Sequence, residues 1–157
     1  MATFMSFYDP DTYTPERSIG YLIKTCNQTM TALLDRMLAD EELNTSQWSA
    51  MMTIHHGEAP TCAALARGMA HDKGAMTRLI DTLEEKGFVE RTRSADDRRV
   101  LHLSLTPAGR AVTFRCRDKV IDHWNRCFAD WPDAEIETLI AQMQKLRCTL
   151  EDIATCP

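Results

Sequence analysis

Apolar residues recur at helical spacing through the first quarter of the chain. Thr14-Pro15 reads as an N-cap with proline at the first helical position. Behind it Ile19, Leu22, Ile23, Cys26, Met30, Leu33, Leu34, Met37 and Leu38 form one stripe that runs to about residue 39. That is more apolar face than a single small core needs. Asn44 predicts the cap of a second helix, with Gln47 in a capping-box position. Its apolar side is Trp48, Met51, Met52 and His55, and Gly57 ends it. After the Ala59-Pro60 break, Thr61 caps a short helix that buries Cys62, Leu65, Ala66 and Met69. Asp72 caps the next, with Met76, Leu79, Ile80 and Leu83 inward and Gly87 as its stop. The opposite face carries Lys73, Ala75, Thr77, Arg78 and Asp81, small and polar residues able to approach another surface.

The period then changes from 3.6 to 2. Residues 88–92 and 100–105 read as strands, with Leu101, Leu103 and Leu105 alternating, and the polar segment 93–99 is the loop between them. Thr106-Pro107 opens a fifth helix whose buried side is Phe114, Ile121, Trp124 and Phe128, and Trp131-Pro132 breaks it. A sixth carries Ile136, Leu139, Ile140, Met143, Leu146, Leu150 and Ile153. The predicted fold is mainly α: four helices, a β-hairpin and two more helices, which is a winged helix-turn-helix with long terminal helices. A single chain over 1–157 holds the winged lobe at 44–106, with dimerisation helices at 15–40 and 107–155. The surplus apolar face of those terminal helices predicts a homodimer.

Composition narrows the class. The 157 residues amount to one domain, 44% hydrophobic and 26% charged, too apolar for a disordered chain. No apolar run approaches the roughly 20 residues that span a bilayer. Met1 to Met5 hold no basic residue, so a signal peptide is not expected, and six cysteines without a Cys-x-x-Cys pair suit a reducing cytoplasm. The net charge of −5 argues at first against nucleic acid. Its distribution reverses that. Residues 1–60 hold 3 basic and 8 acidic side chains, residues 61–99 hold 8 and 7, and Arg91, Arg93, Arg98 and Arg99 fall within nine residues. Local charge decides whether a surface approaches phosphates, although such a run taken alone is a solvated turn.

Nothing points to catalysis: there is no Gly-x-Ser-x-Gly, phosphate loop or His-Glu-x-x-His, so neither an enzyme nor a cofactor is expected. Adjacent His55 and His56, in the run His55-His56-Gly57-Glu58, diverge by about 100° on a helix and cannot chelate together. His123 and Cys127 have a metal-ligating i, i+4 spacing but no evident third and fourth ligand, so no metal site is assigned.

Several stretches together resemble a known family, the MarR-type regulators of transcription. They are Leu43-Asn44-Thr45-Ser46-Gln47-Trp48, Leu65-Ala66, Asp72 through Ile80, and Leu83 through Val89. Most specific is Arg91-x-Arg93-x-x-x-Asp97-Arg98-Arg99 followed by Leu105-Thr106-Pro107-Ala108-Gly109. The resemblance covers about residues 16–155 and implies a homodimeric winged-helix protein that binds double-stranded DNA, usually as a repressor released by a small aromatic ligand. It places Lys73, Ala75, Thr77 and Arg78 at base edges of the major groove, with Arg99 in the adjacent minor groove. Asp97 would pair with that arginine or its backbone, Arg98 shares the tip, and Arg91 and Arg93 would meet phosphates. The implied effector pocket draws on Tyr21, Lys24, Thr25 and Gln28 from the first helix with Met52 and His55 from the second. Some relatives sense peroxide through a cysteine near the start of the first helix; that position falls near Gly20 here, and Cys26 lies in the apolar stripe, where a buried thiol stays protonated. A redox or metal sensor of the same fold is the alternative, as is a winged-helix protein-interaction module without DNA binding, which would predict a depleted wing.

Overall fold

Hydroxyl and carboxylate caps set where the helices begin. In a computed structural model, which describes residues 7–57, 60–69 and 71–155, Thr14-Pro15 opens only a single 3-10 turn, Pro15–Arg17. Met1 to Met5, Glu58 and Ala59 lie outside the described residues. The long first helix, α1 (Ile19–Leu38), starts at Ser18, whose hydroxyl accepts from Tyr21 N at 3.3 Å and is itself bonded to the Tyr13 hydroxyl at 2.7 Å. Thr14 makes no such cap bond, so the expected start moves by four residues. Helix α2 (Thr45–His56) has the full capping box: Asn44 Oδ1 accepts from Gln47 N at 2.9 Å and Gln47 Oε1 from Asn44 N at 3.1 Å. Thr61 and Asp72 cap α3 (Cys62–Gly68) and α4 (Lys73–Glu85) by the one-way bond alone, accepting from Ala64 N and Ala75 N.

Gly87, at φ +71°, turns the chain out of α4 into strand β1 (Val89–Arg93). Strand β2 (Leu101–Leu105) pairs with it antiparallel, Arg91 opposite Leu103 and Thr92 opposite His102. The pairing gives the hairpin two faces. Val89 and Leu103 are buried on one; Glu90, Thr92, His102 and Ser104 share the other. Beyond β2 a further backbone contact forms that no pattern announced: Leu103 N donates to Pro60 O at 2.9 Å, and Thr61 bridges His102.

Helix α5 (Pro107–Cys127) is docked at its first turn. Thr106 Oγ1 accepts from Gly109 N at 2.9 Å and donates to Gly87 O at 2.6 Å, while Thr106 N donates to Phe88 O at 3.0 Å. Helix α6 (Asp133–Thr155) follows. The chain divides into two compact units, Met1–Cys116 and Arg117–Pro157, with the division inside α5. The first unit holds the main core, built from Leu38, Leu43, Ala50, Met51, Leu65, Ala66, Met76, Ile80, Leu83, Val89, Leu103, Val112 and Cys116.

Several apolar assignments are corrected by this packing, beginning with Cys62 and Met69, which are half-buried beside the buried Leu65 and Ala66. On α2 the innermost residues are Ala50, Met51 and Ile54, while Trp48, Met52 and His55 are half-buried. On α5 Val112, Thr113, Cys116 and Val120 are buried, whereas Ile121 is exposed and Phe114, Trp124 and Phe128 are half-buried. Large aromatics marked the face, but the close approach of backbone at Gly109 rotates the small residues inward. On α1 only Leu34 and Leu38 are buried, and Cys26, expected as a buried thiol, is exposed on the single chain. Periodicity identifies an apolar face; it does not say whether the same chain covers it.

Candidate nucleic-acid interface

Helix α4 buries Met76, Ile80 and Leu83 and leaves Lys73, Thr77 and Arg78 exposed, with Ala75 half-buried between them. The Asp72 carboxylate that caps the helix is held below its ordinary pKa, chiefly by the hydrogen bond from Ala75 N, with desolvation opposing it and the Gly74 hydrogen bond adding a smaller lowering. Thr77 Oγ1 donates to Lys73 O at 2.8 Å, so its hydroxyl proton is used within the helix. Cys62, at the start of α3, has its sulfur 3.8 Å from the same hydroxyl.

The loop between the strands is organised by short side chains bonding to backbone. Ser94 N donates to Val100 O and Val100 N to Asp97 O, each at 2.9 Å. Ser94 Oγ accepts from Asp96 N at 3.2 Å. Asp97 Oδ1 accepts from Arg99 N at 2.9 Å, an Asx-type turn that shapes the tip through backbone and leaves the arginine side chain available. Arg93, Arg98 and Arg99 are exposed, and none of their guanidinium groups enters an ion pair among the described residues. Six cationic or polar positions named from sequence, on α4 and around the loop, are therefore presented to solvent.

Arg91 is different. Its Nη2 lies 2.6 Å from Asp81 Oδ1 and its Nη1 2.5 Å from Glu84 Oε2, both on α4, and its side chain is 23% exposed. The Asp81 hydrogen bond, ahead of a smaller opposing desolvation and the Glu84 charge, raises its pKa further. Both terminal nitrogens are thereby committed to α4 carboxylates, which turns the head of the side chain toward the helix. The sequence named Asp81 and Arg91 separately and had no signal for their pairing, because strand face and helix face meet only in three dimensions.

The residues named for an effector pocket are not all brought together. Tyr21, Lys24 and Gln28 are exposed on α1, and the half-buried Thr25 spends its hydroxyl on Tyr21 O and Leu22 O. Met52 lines a shallow surface hollow with Thr53, His56 and Gly57. His55 lines a separate cavity of about 270 Å³ with Ile54, Thr92, His102, Ser104 and Arg110 among its walls. There His55 Nδ1 is 3.4 Å from Arg110 Nη1, and since guanidinium only donates, Nδ1 is the acceptor. Phe114 meets the same imidazole edge to face at 4.9 Å. His102 and Arg110 were missed, since nothing local in the sequence brings either of them to His55.

Elsewhere, Cys127 Sγ and His123 Nε2 are 3.4 Å apart, and no group of three potential metal ligands occurs among the described residues. No helix among the described residues is long and apolar enough to cross a membrane.

Residues 43–101 match the family model described as "MarR family". The multiple antibiotic resistance protein MarR of Escherichia coli K12 is 31% identical over 102 residues, covering 65% of this chain and 71% of that one. The protein of the same name from Salmonella typhimurium is 31% identical over 101 residues, covering 64% and 70%. Among solved structures, a mutant MarR from E. coli complexed with operator DNA is 29% identical, with a TM-score of 0.72 over 81% of this chain and 91% of that one. The transcriptional repressor CouR, bound to a 23-mer DNA duplex, shares the fold at a TM-score of 0.78 and 22% identity, over 84% of this chain and 94% of that one. The chain belongs to the MarR family of winged helix-turn-helix transcriptional regulators.

Proposed function

We propose that this regulator binds an operator in double-stranded DNA as a homodimer, represses, and is released by a small aromatic compound. In this reading residues 44–106 are the DNA-binding lobe, and 15–40 with 107–155 the dimerisation helices. The observation that carries it is the pairing of an exposed Lys73, Thr77 and Arg78 on α4 with a loop tip whose Arg99 backbone is fixed by Asp97. A relative 29% identical to this chain takes operator DNA on the same fold. A helix of this kind enters the major groove, and an arginine at a wing tip suits a narrow, strongly negative minor groove.

The test begins with selection of duplexes from a random pool, followed by anisotropy titrations over a range of KCl. Arg99→Ala is expected to lose about 1–3 kcal/mol on the selected duplex and to relax the preference for A·T pairs at its flanks. Unchanged affinity and unchanged flank preference would remove the wing from the interface.

The effector is seated, in this reading, at the cavity that holds His55. Its walls offer Arg110 and His55 for a carboxylate and the side chains of Ile54, Leu103 and Leu105 for a ring. Arg110→Met and His55→Ala should therefore blunt release by benzoate or salicylate while leaving operator affinity within about twofold. Release requires a ligand that prefers the DNA-incompetent geometry, and a swing from 1:99 to 99:1 needs about 5.5 kcal/mol of differential affinity. Undiminished release from both variants would place the site elsewhere, with Tyr21, Lys24 and Gln28 the next to test. Release by peroxide or by chelation alone would replace the aromatic effector with the Cys26 or His123–Cys127 reading.

A further inference from the structure

Resting on the DNA-binding reading above, we propose that Arg91 is a positioning residue: it clamps the wing to the recognition helix and sets where the loop tip falls, and it does not hold a phosphate. Both terminal nitrogens of its guanidinium are engaged, one by Asp81 and one by Glu84, at 2.6 and 2.5 Å. The two carboxylates sit one helical turn apart on α4, a spacing at which the planar guanidinium fork meets one carboxylate with each arm. With 23% of its side chain exposed against 47% and 41% for its partners, the arginine is the inner member of the cluster.

The clamp and the backbone contacts hold the two strands of the hairpin by different means. The β2 edge is secured through backbone, by Leu103 N on Pro60 O and by the Thr61–His102 bridge. The β1 edge is secured to α4 through this side chain, directly opposite the buried Leu103. Arg91 stands three residues before Ser94, so the loop begins about 10 Å beyond it at the usual strand rise. At that distance a tilt of about 10° moves Arg99 by about 2 Å, which is enough to take a guanidinium out of hydrogen-bond range of a groove floor. The arginine has a second effect. Asp81 and Glu84 are carboxylates on the helix that approaches DNA, and pairing them with one cation lowers their repulsion of the phosphates.

A phosphate contact and a clamp give different salt behaviour. The experiment compares the full-length protein with Arg91→Gln, Arg91→Lys and the double variant Asp81→Asn with Glu84→Gln. The ligands are the selected duplex and a scrambled duplex of equal length. For a clamp, Arg91→Gln loses about tenfold on the selected duplex and less than twofold on the scrambled one, with its salt slope unchanged. The double variant reproduces the loss of discrimination even though it has shed two negative charges. Arg91→Lys, which reaches one carboxylate at a time, falls between. Thermal melts confirm that each variant is folded at the assay temperature. Amide hydrogen exchange of the free protein then reads the hairpin without DNA, and faster exchange at Arg93 and Ser94 in Arg91→Gln is expected. Equal weakening on both duplexes with a slope lower by about one would make Arg91 a phosphate contact and overturn the clamp. Affinities and exchange both unchanged would overturn it as well. Failure of the parent protein to prefer any duplex, with hairpin exchange still accelerated in Arg91→Gln, would instead remove the DNA-binding reading and leave the clamp as a purely structural tie.

Discussion

Gly109→Ala is expected to unfold or severely destabilise the protein, by about 3 kcal/mol or more, the upper range for forcing atoms into a packed site. Helix propensity alone predicts the opposite sign, because alanine replaces glycine inside a helix with a gain of about 0.5–1 kcal/mol. Contact geometry decides the matter. A Cβ at Gly109 would lie 1.9 Å from Phe88 O, 2.7 Å from Phe88 C and 2.9 Å from Phe88 Cα, all backbone atoms that cannot rotate away. Relief would require lifting the first turn of α5 off the start of β1. That lift breaks the bonds from Thr106 to Phe88 O and Gly87 O and opens the core at Val112 and Val89. Chemical denaturation of the parent and variant, with the midpoint and its slope both fitted, measures the loss. A variant within 1 kcal/mol of the parent would mean the α5 docking yields more readily than its close contact implies.

The Leu-Thr-Pro-Ala-Gly run was legible as a sequence signature, but its physical reason was not. Thr106 reads as an ordinary cap before a proline; only the structure shows the same hydroxyl bonding back to Gly87 and the glycine lying against Phe88. Elements whose signals are local were read closely. The Asn44–Gln47 box, the Asp72 cap and the Gly87 stop all depend on residues within one turn of each other, and each is present where expected. The two strands lie within one residue of their expected ends because the alternation of Leu101, Leu103 and Leu105 is a local signal, although only Leu103 is buried.

Relations between distant segments were not legible. The inward choice of Val112 and Cys116 over Phe114 and Ile121 on α5 follows from how closely that helix approaches the hairpin. The pairing of Arg91 with Asp81 and Glu84 joins positions ten and seven apart through a strand register and a helix face. At the tip the reverse holds: Asp97 and Arg99 are two residues apart, and the predicted pairing is found in its backbone form. Periodicity on α1 and α2 says nothing about which side chains line a common cavity, and the cavity at His55 in the single chain is lined by Arg110 and by Thr92, His102 and Ser104 of the hairpin.

Met143→Glu combined with Leu150→Glu should abolish the proposed homodimer and lower affinity for the selected duplex by at least about a hundredfold. Along α6 the residues Ile136, Leu139, Met143, Leu146, Leu150 and Ile153 are separated by three and four in strict alternation, the spacing by which one helix presents a seam to another. Leu139, Met143, Leu150 and Ile153 are 41%, 48%, 55% and 66% exposed on the single chain, a row of apolar side chains of the kind that marks an interaction surface. Burying each of them fully is worth about 1.5–3 kcal/mol, so two such rows facing one another supply a substantial driving force, and a carboxylate introduced mid-row opposes it. The consequence for DNA follows from geometry. Two recognition helices about 34 Å apart read successive major grooves, and joining them makes the second contact intramolecular, which raises avidity by about 10²–10⁴ without any new contact. The charged variant should sediment as a folded monomer at micromolar concentration, since the main core lies in the unit ending at Cys116. It should keep weak half-site binding with about half the salt slope of the parent. A parent that is itself monomeric at that concentration, or a variant that remains dimeric with operator affinity intact, would remove α6 from the interface.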